Sequence, residues 1–272
     1  MNPEAAKSSV DVLIRQSDLP EGGLSLRPRI AVVLHLFYED QLGLFLEYLS
    51  HIPVGFDCFV SVKSSEIREV SVAFEALSHL CRLEVKSFPN VGRDMAPGFV
   101  GFGKELLHYE LVLKLHEKKS PHNSELQDWL SLTLQGLLGA PWIIRHHWAL
   151  LLGSNIGITS ILPPQPVVQA IERDSCWGHQ FRSFDRCTRE RERLGLSDLQ
   201  PDEPFKFPVG SMFWCRAEVF RPLVDLNLRW SSFDREAGQL DGTLAHSLER
   251  LVGLVCSQKL GLECRSIWPL ED

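Results

Sequence analysis

The chain has 272 residues, 44% of them hydrophobic, 23% charged, with a formal net charge of -7. That length and apolar content support one large domain or two small ones with a real core. The mildly acidic balance argues against a general nucleic-acid binder, which carries a basic face.

Seven cysteines, Cys58, Cys81, Cys176, Cys187, Cys215, Cys256 and Cys264, form no C-x-x-C pair and mostly sit inside apolar runs. They read as reduced core residues of a cytoplasmic protein. No stretch approaches the roughly 20 apolar residues that span a bilayer, so the expectation is a soluble protein, free to work peripherally at the inner face of the cell membrane.

Residues 1–28 are polar and punctuated by Gly22, Gly23 and Pro28, which suggests an N-terminal arm with a loose helix near Ser9–Gln16. Folded structure is expected over 29–272. Ile30–Phe37 is a continuous apolar run, hence a buried strand, ending in a polar stretch around His35 and Tyr38. Helical spacing follows over Gln41–Ser50, a strand over Phe56–Val62 and a second helix over Ile67–Leu80. Leu83–Phe88 and Glu110–Leu115 are two further strands, and Met95–His108 is long enough for the crossover helix that makes them parallel neighbours. This alternation predicts an α/β fold with a mainly parallel sheet flanked by helices, residues 29–122 forming its first half.

Beyond residue 123 helices are expected over Glu125–Leu138, Pro141–Leu152, Ala217–Leu226 and Asp241–Gly253, with strands over Ile156–Ile161 and Phe207–Cys215. His146-His147 has no carboxylate nearby and reads as structural. The arginine-rich segment Arg182–Arg193 reads as a solvated surface, with a lid over an anionic substrate as the alternative.

Ligands of such sheets collect where strands end, so the polar clusters there draw the attention. Asn90-Val-Gly-Arg93-Asp94 follows one strand, and an arginine beside a helix N-terminus is a natural anion holder. His116, Lys118, Lys119 and Ser120 follow the next and concentrate positive charge. Glu117 alone among lysines is a poor divalent-metal site; lysines can instead neutralise a leaving diphosphate. Gly210-Ser211 allows close approach of a ligand. Asp241, at the expected start of a helix, is a candidate general base, because a helix N-terminus favours the ionised carboxylate. Serving as that helix's N-cap is its structural alternative. His246 and Glu249, one turn apart, could orient each other or a substrate hydroxyl.

Five stretches, His35-Leu-Phe-Tyr38, Asn90–Pro97, Leu113–Pro121, Phe207–Trp214 and Asp241–Arg250, together resemble the rhamnan synthesis protein F family of bacterial polysaccharide glycosyltransferases. The resemblance implies a GT-A-like fold with a nucleotide-sugar-binding half (29–122) and an acceptor-binding, catalytic half (123–272). It implies transfer of L-rhamnose from dTDP-L-rhamnose, by an inverting route, onto a glycan or lipid-linked glycan acceptor. In that scheme His35, Tyr38, Asn90, Arg93, Asp94, His116, Lys118, Lys119 and Ser120 hold the nucleotide sugar. Gly210, Ser211, Met212, Trp214, His246 and Glu249 surround sugar and acceptor, and Asp241 is the base. Many GT-A enzymes carry Asp-x-Asp and a metal where this chain has His116–Ser120, so no metal or other cofactor is expected. The alternatives are another sugar nucleotide as donor, or a non-catalytic glycan- or nucleotide-binding module. A Rossmann oxidoreductase or methyltransferase is disfavoured because no G-x-G-x-x-G turn follows the first strand.

Overall fold

A computed structural model describes residues 10–20, 22–37, 39–117 and 128–270. Eight strands form one sheet in the order β1-β8-β6-β7-β5-β2-β3-β4. They are β1 (Val12–Ile14), β2 (Ile30–His35), β3 (Phe56–Val62), β4 (Leu80–Ser87), β5 (Leu111–His116), β6 (Ile156–Ile161), β7 (Phe213–Arg216) and β8 (Glu263–Pro269). Only β7, wedged between β5 and β6, runs against the other described strands. The mainly parallel α/β sheet expected from the alternation is present.

Both faces are covered, as parallel strands with continuous apolar runs require. Alternation along each strand divides the side chains between two layers. Val32, Leu34, Leu113, Leu115 and Trp214 pack with Phe45, Leu134 and Trp148 on one face. Ala31, Val33, Val112, Phe213 and Cys215 pack with Phe102, Phe220, Leu244 and Leu248 on the other. Lys114 and His116 share the parity of Val112, so they point toward the second layer.

Several elements differ from expectation. The loose N-terminal helix is instead β1, which pairs in parallel with β8 (Val12 beside Ile267) and buries Ile14 with Ile143 and Ile267. The crossover over Met95–His108 does not make β4 and β5 neighbours, because β3 and β2 lie between them, and it is not one helix. It is a π-helical turn at Pro97–Gly101 and a short helix at Gly103–Leu106, broken at Phe102, where Gly101 and Gly103 let the chain pack against Phe88 and Val224. The strand expected from Phe207 begins only at Phe213, because Gly210 and Ser211 turn left-handed (φ 86° and 60°) and cannot extend a ladder. A helix at Gln165–Asp174 and the strand β8 were not anticipated. The last long helix spans Leu244–Leu254 rather than starting at Asp241; Thr243 is its N-cap and accepts the His246 N–H.

The arginine-rich segment folds into two short helices, Arg182–Arg186 and Thr188–Leu194. Arg186 pairs with Asp234 at 3.1 Å, and Arg191 is buried with its guanidinium 3.4 Å from the centre of the Phe184 ring. These contacts fix two of its arginines in the fold. His146 and His147 are structural: His147 bridges the Thr159 hydroxyl (2.8 Å) and the Gly136 carbonyl (3.0 Å), and His146 lies 2.7 Å from the Arg15 carbonyl. All seven cysteines are free thiols, five of them buried.

Candidate functional site

Strand β5 ends beside the start of β7, since an antiparallel strand begins where its neighbour finishes; β4 lies beyond β2 and β3, and the stretch that follows it carries Arg93 and Asp94 back to this point. Lys114 lies opposite Phe213 in that pairing. Over this edge opens a cavity of about 550 Å³. Arg93, Asp94, His116, Gly210, Ser211, Asp241, His246 and Glu249 all line it, so eight residues from four separate stretches of sequence converge as expected. One wall, from the helix Gln165–Asp174, is apolar: Val167, Ala170 and Ile171.

His35 and Asn90 line a smaller adjoining cleft of about 50 Å³ with Phe37 and Lys63; Arg93 belongs to both spaces. The His35 ring lies 2.8 Å from the Ser61 hydroxyl. Burial pushes its pKa down to about 4, with His116 and Lys114 adding to the effect and Asp94 opposing it. Tyr38, Lys118, Lys119 and Ser120 lie outside the described residues.

Met212 and Trp214 do not belong to the site. Alternation along β7 sends them to the opposite face, where they are 2% and 0% exposed, and the Trp214 indole donates to the Leu137 carbonyl at 3.1 Å. They are core residues.

The cavity floor is the Gly210–Ser211 turn, gripped from several sides. The Glu249 carboxylate accepts the Gly210 N–H at 2.6 Å. The His116 Nε2 is 2.7 Å from the Gly210 carbonyl, and its Nδ1 is 2.7 Å from the Glu117 carbonyl. Carbonyls only accept, so the ring satisfies both as an imidazolium. A Cβ on Gly210 would stand 2.8 Å from the Trp129 ring, which closes the turn from above. Non-glycine residues with such positive φ angles cost of order 1–3 kcal/mol and persist where their surroundings fix them.

Asp94 is largely buried, its side chain 11% exposed, and hydrogen-bonded to Lys114 and, at 2.9 Å, to the Ser211 hydroxyl. Burial alone would raise its pKa; the Lys114 ammonium, with His116 and His35, instead holds the carboxyl well below the usual range. Its charge is therefore spent inside the protein. Arg93, at φ 52°, follows Gly92, whose Cβ would collide with Phe233, and donates to the Gln239 carbonyl. Its Nε lies 3.5 Å from Glu236.

Asp241 sits two residues before the helix cap, so it is not the N-cap. Its Oδ1 accepts from the Ser183 hydroxyl at 2.6 Å and lies 3.7 Å from Arg250. Its Oδ2 rests against Gly178, where a Cβ would stand 1.7 Å away, and has no hydrogen-bond partner among the described residues. His246 Nε2 likewise has none. The Thr243 N–H donates to His246 Nδ1 at 3.3 Å, so the ring proton resides on Nε2. Burial, with Arg93 and Arg250 acting in the same direction, pushes His246 down to about 4 against Asp241 and Glu249, leaving it neutral near pH 7. His246 and Glu249 do not pair; each is held by a different partner. One carboxylate oxygen, an acceptor, and one imidazole N–H, a donor, are thus left unpaired and buried in residues that line the cavity.

Sequence reasoning passed over Lys114, Arg250, Gly178 and Trp129 as site residues. Arg250 bonds the carbonyls of Cys176 and His246 and pairs with Glu249 at 2.9 Å. A lysine in the middle of the apolar run Leu111–Leu115 was the available signal for Lys114.

The model of the family described as rhamnan synthesis protein F matches residues 10–260, nearly the whole described chain. The chain belongs to the rhamnan synthesis protein F family. It is also 35% identical, over 233 residues, to a protein named uncharacterized protein WxcX in Xanthomonas campestris pv. campestris, in strain B100 and in strain ATCC 33913. That match covers 84% of this chain and 31% of the relative's length, so the chain spans about a third of the curated relatives it matches. Membership of the rhamnan synthesis protein F family connects the chain to polysaccharide biosynthesis. No helix among the described residues is long and apolar enough to cross a membrane.

Proposed function

We propose that this chain is an inverting glycosyltransferase that moves L-rhamnose from dTDP-L-rhamnose to a growing bacterial cell-surface polysaccharide. The observation that carries the reading is the unpaired Asp241 Oδ2, held against Gly178 in a cavity at the strand ends, with the His246 N–H beside the same cavity.

In this mechanism the acceptor hydroxyl oxygen attacks the anomeric carbon from the face opposite the diphosphate. The new C–O bond forms as the bond to the phosphate oxygen breaks, and dTDP leaves with that electron pair. Asp241 takes the hydroxyl proton. Ser183 and Arg250 fix the other carboxylate oxygen and so aim Oδ2. The His246 N–H donates to a sugar hydroxyl. Arg93, between the two cavities, and the Lys118-Lys119 segment neutralise the diphosphate as charge develops on it. The nucleoside occupies the His35/Asn90 side. The apolar wall of Val167, Ala170 and Ile171 suits the methyl group of a 6-deoxy sugar.

The reaction needs no divalent metal in this scheme, since lysine and arginine replace it and Asp94 is already committed to Lys114. Titrating dTDP, UDP and GDP against thermal unfolding, each with and without EDTA, tests donor and metal together. Selective stabilisation by dTDP that survives EDTA is the expected result. Preference for UDP or GDP assigns another sugar nucleotide, and stabilisation only with Mg²⁺ or Mn²⁺ defeats the metal-free scheme. Asp241→Asn is expected to lower turnover by about 10²–10⁴-fold while leaving dTDP affinity unchanged; near wild-type turnover removes Asp241 from the base role.

A further inference from the structure

Lys114 is 1% exposed, within a strand that is otherwise aliphatic up to its last residue, His116. A lysine ammonium has three N–H bonds, and this one meets three acceptors: Asp94 Oδ2, the Ser211 hydroxyl at 2.8 Å and the Ser211 carbonyl at 3.1 Å. The Ser211 hydroxyl in turn donates to Asp94 Oδ2 at 2.9 Å, closing a ring of three residues. Three stretches of chain, after β4, within β5 and before β7, are thereby tied at one buried point under the cavity. Lys114 does not line the cavity, whereas Asp94 and Ser211 do.

The cation's anchorage explains an otherwise unfavourable backbone. Ser211 holds φ 60°, a conformation glycine adopts freely and serine does not. The neighbouring Gly210 is fixed by Glu249 and His116, but Ser211 is fixed through its own carbonyl and hydroxyl, both of them bonded to Lys114.

We propose that Lys114 is a positioning residue of the site: from beneath the floor it locks Ser211 in the left-handed turn that shapes the sugar-binding cavity, and it consumes the Asp94 charge in doing so. The kinetic consequence rests on the glycosyltransferase reading; the structural one stands by itself.

Removing cation and carboxylate together avoids leaving a buried unpaired charge, so the variant is Asp94→Asn with Lys114→Met. It is expected to unfold cooperatively, to bind dTDP within about threefold of wild type and to lose at least about tenfold in kcat, because sub-ångström misplacement of bound groups is costly. Adding Ser211→Gly, which needs no anchor to hold positive φ, is expected to recover most of the lost kcat. Wild-type kcat in the double variant, or no recovery with glycine, overturns the proposal. Should the double variant not fold, Ser211→Ala keeps the Lys114–Asp94 pair and removes only the hydroxyl: a several-fold fall in kcat supports the proposal and a wild-type kcat overturns it. Should the wild-type chain transfer no sugar, the glycosyltransferase reading fails separately. A crystal structure of Ser211→Ala then decides, with residue 211 leaving the left-handed region supporting the anchor and an unchanged turn refuting it.

Discussion

Glu249 and Gly210 are 39 residues apart in the chain, yet the Glu249 carboxylate accepts the Gly210 N–H at 2.6 Å. One carboxylate thus joins the long C-terminal helix to the turn that floors the cavity, while its other oxygen pairs with Arg250. Glu249→Ala leaves a part-buried N–H without its acceptor and takes one of several partners from Arg250, so a stability loss of about 1–3 kcal/mol is expected in urea unfolding. Glu249→Gln keeps an oxygen acceptor for Gly210 and should recover part of that loss. Equal losses in both variants would mean that the charge, not the hydrogen bond to Gly210, is what counts.

Gly178 makes the Asp241 position possible. A methyl there would lie 1.7 Å from Asp241 Oδ2, on a backbone already at φ 79°. Gly178→Ala should therefore displace the carboxylate and lower kcat at least about tenfold. Gly195→Ala is the control, at φ 73° with nothing within 4 Å of its hypothetical Cβ. It carries the backbone strain alone, and is expected to lower the melting temperature with kcat intact. Matching kcat losses in the two variants would dissociate Gly178 from Asp241.

Stability should rise with pH across the histidine range. His35, His147 and His246 are each pushed by burial from 6.5 to about 4. Below pH 6.5 the unfolded chain takes up protons that the folded chain refuses, so stability falls as pH drops from about 6.5 to about 4 and is full above that window. Asp11, Asp94 and Asp234 are held below their ordinary 3.8 and Glu84 below its 4.5, so they act at the foot of this window and beneath it, while its upper part belongs to the histidines. Each contributes on the order of 3 kcal/mol at most. Urea midpoints measured from pH 4 to 8 should show the slope, and His147→Gln, remote from the cavity, should flatten it without altering dTDP binding.

Trp214 tests the division between core and site. Its ring meets Trp148 edge-on at 6.0 Å, fully buried on the face away from the cavity. Trp214→Ala should cost about 3–5 kcal/mol of stability and leave the dTDP affinity of the folded fraction unchanged. A selective loss of affinity would return Trp214 to the site.

The parts of the fold legible in the sequence were those whose burial is two-sided. Phe56–Val62 and Ile156–Ile161 match the observed strands at both ends, because strands covered on both faces leave largely apolar runs with few polar interruptions. Glu263–Pro269 escaped notice because it lies near the sheet edge and carries Glu263, Arg265 and Ser266. Gln165–Asp174 was hidden by its prolines, although Pro166 sits in the first turn, where a helix tolerates it. In the site, charge at strand ends led to Arg93, Asp94 and His116, which line one cavity. Residue type could not say that Asp94 is spent on Lys114, or that His116 grips a carbonyl, since both depend on contacts across about 95 to 20 residues of intervening chain. Strand parity does separate Ser211 and Phe213 from Met212 and Trp214, but only once the start of β7 is known.

The pairing of β1 with β8 carries a consequence for how the molecule is made. Asp11 bonds Ser266 across 255 residues, and Val12 aligns with Ile267. During synthesis β1 leaves the ribosome with no neighbour to pair with, and waits until β8, 255 residues further on, has been translated. The four-strand block β4-β3-β2-β5 has its partners much closer in sequence and can assemble while the remainder is still emerging. Loop-closure entropy therefore favours late closure of that distal edge, and until it closes the nascent chain presents β1 as an unpaired strand, the kind of edge that other chains can join.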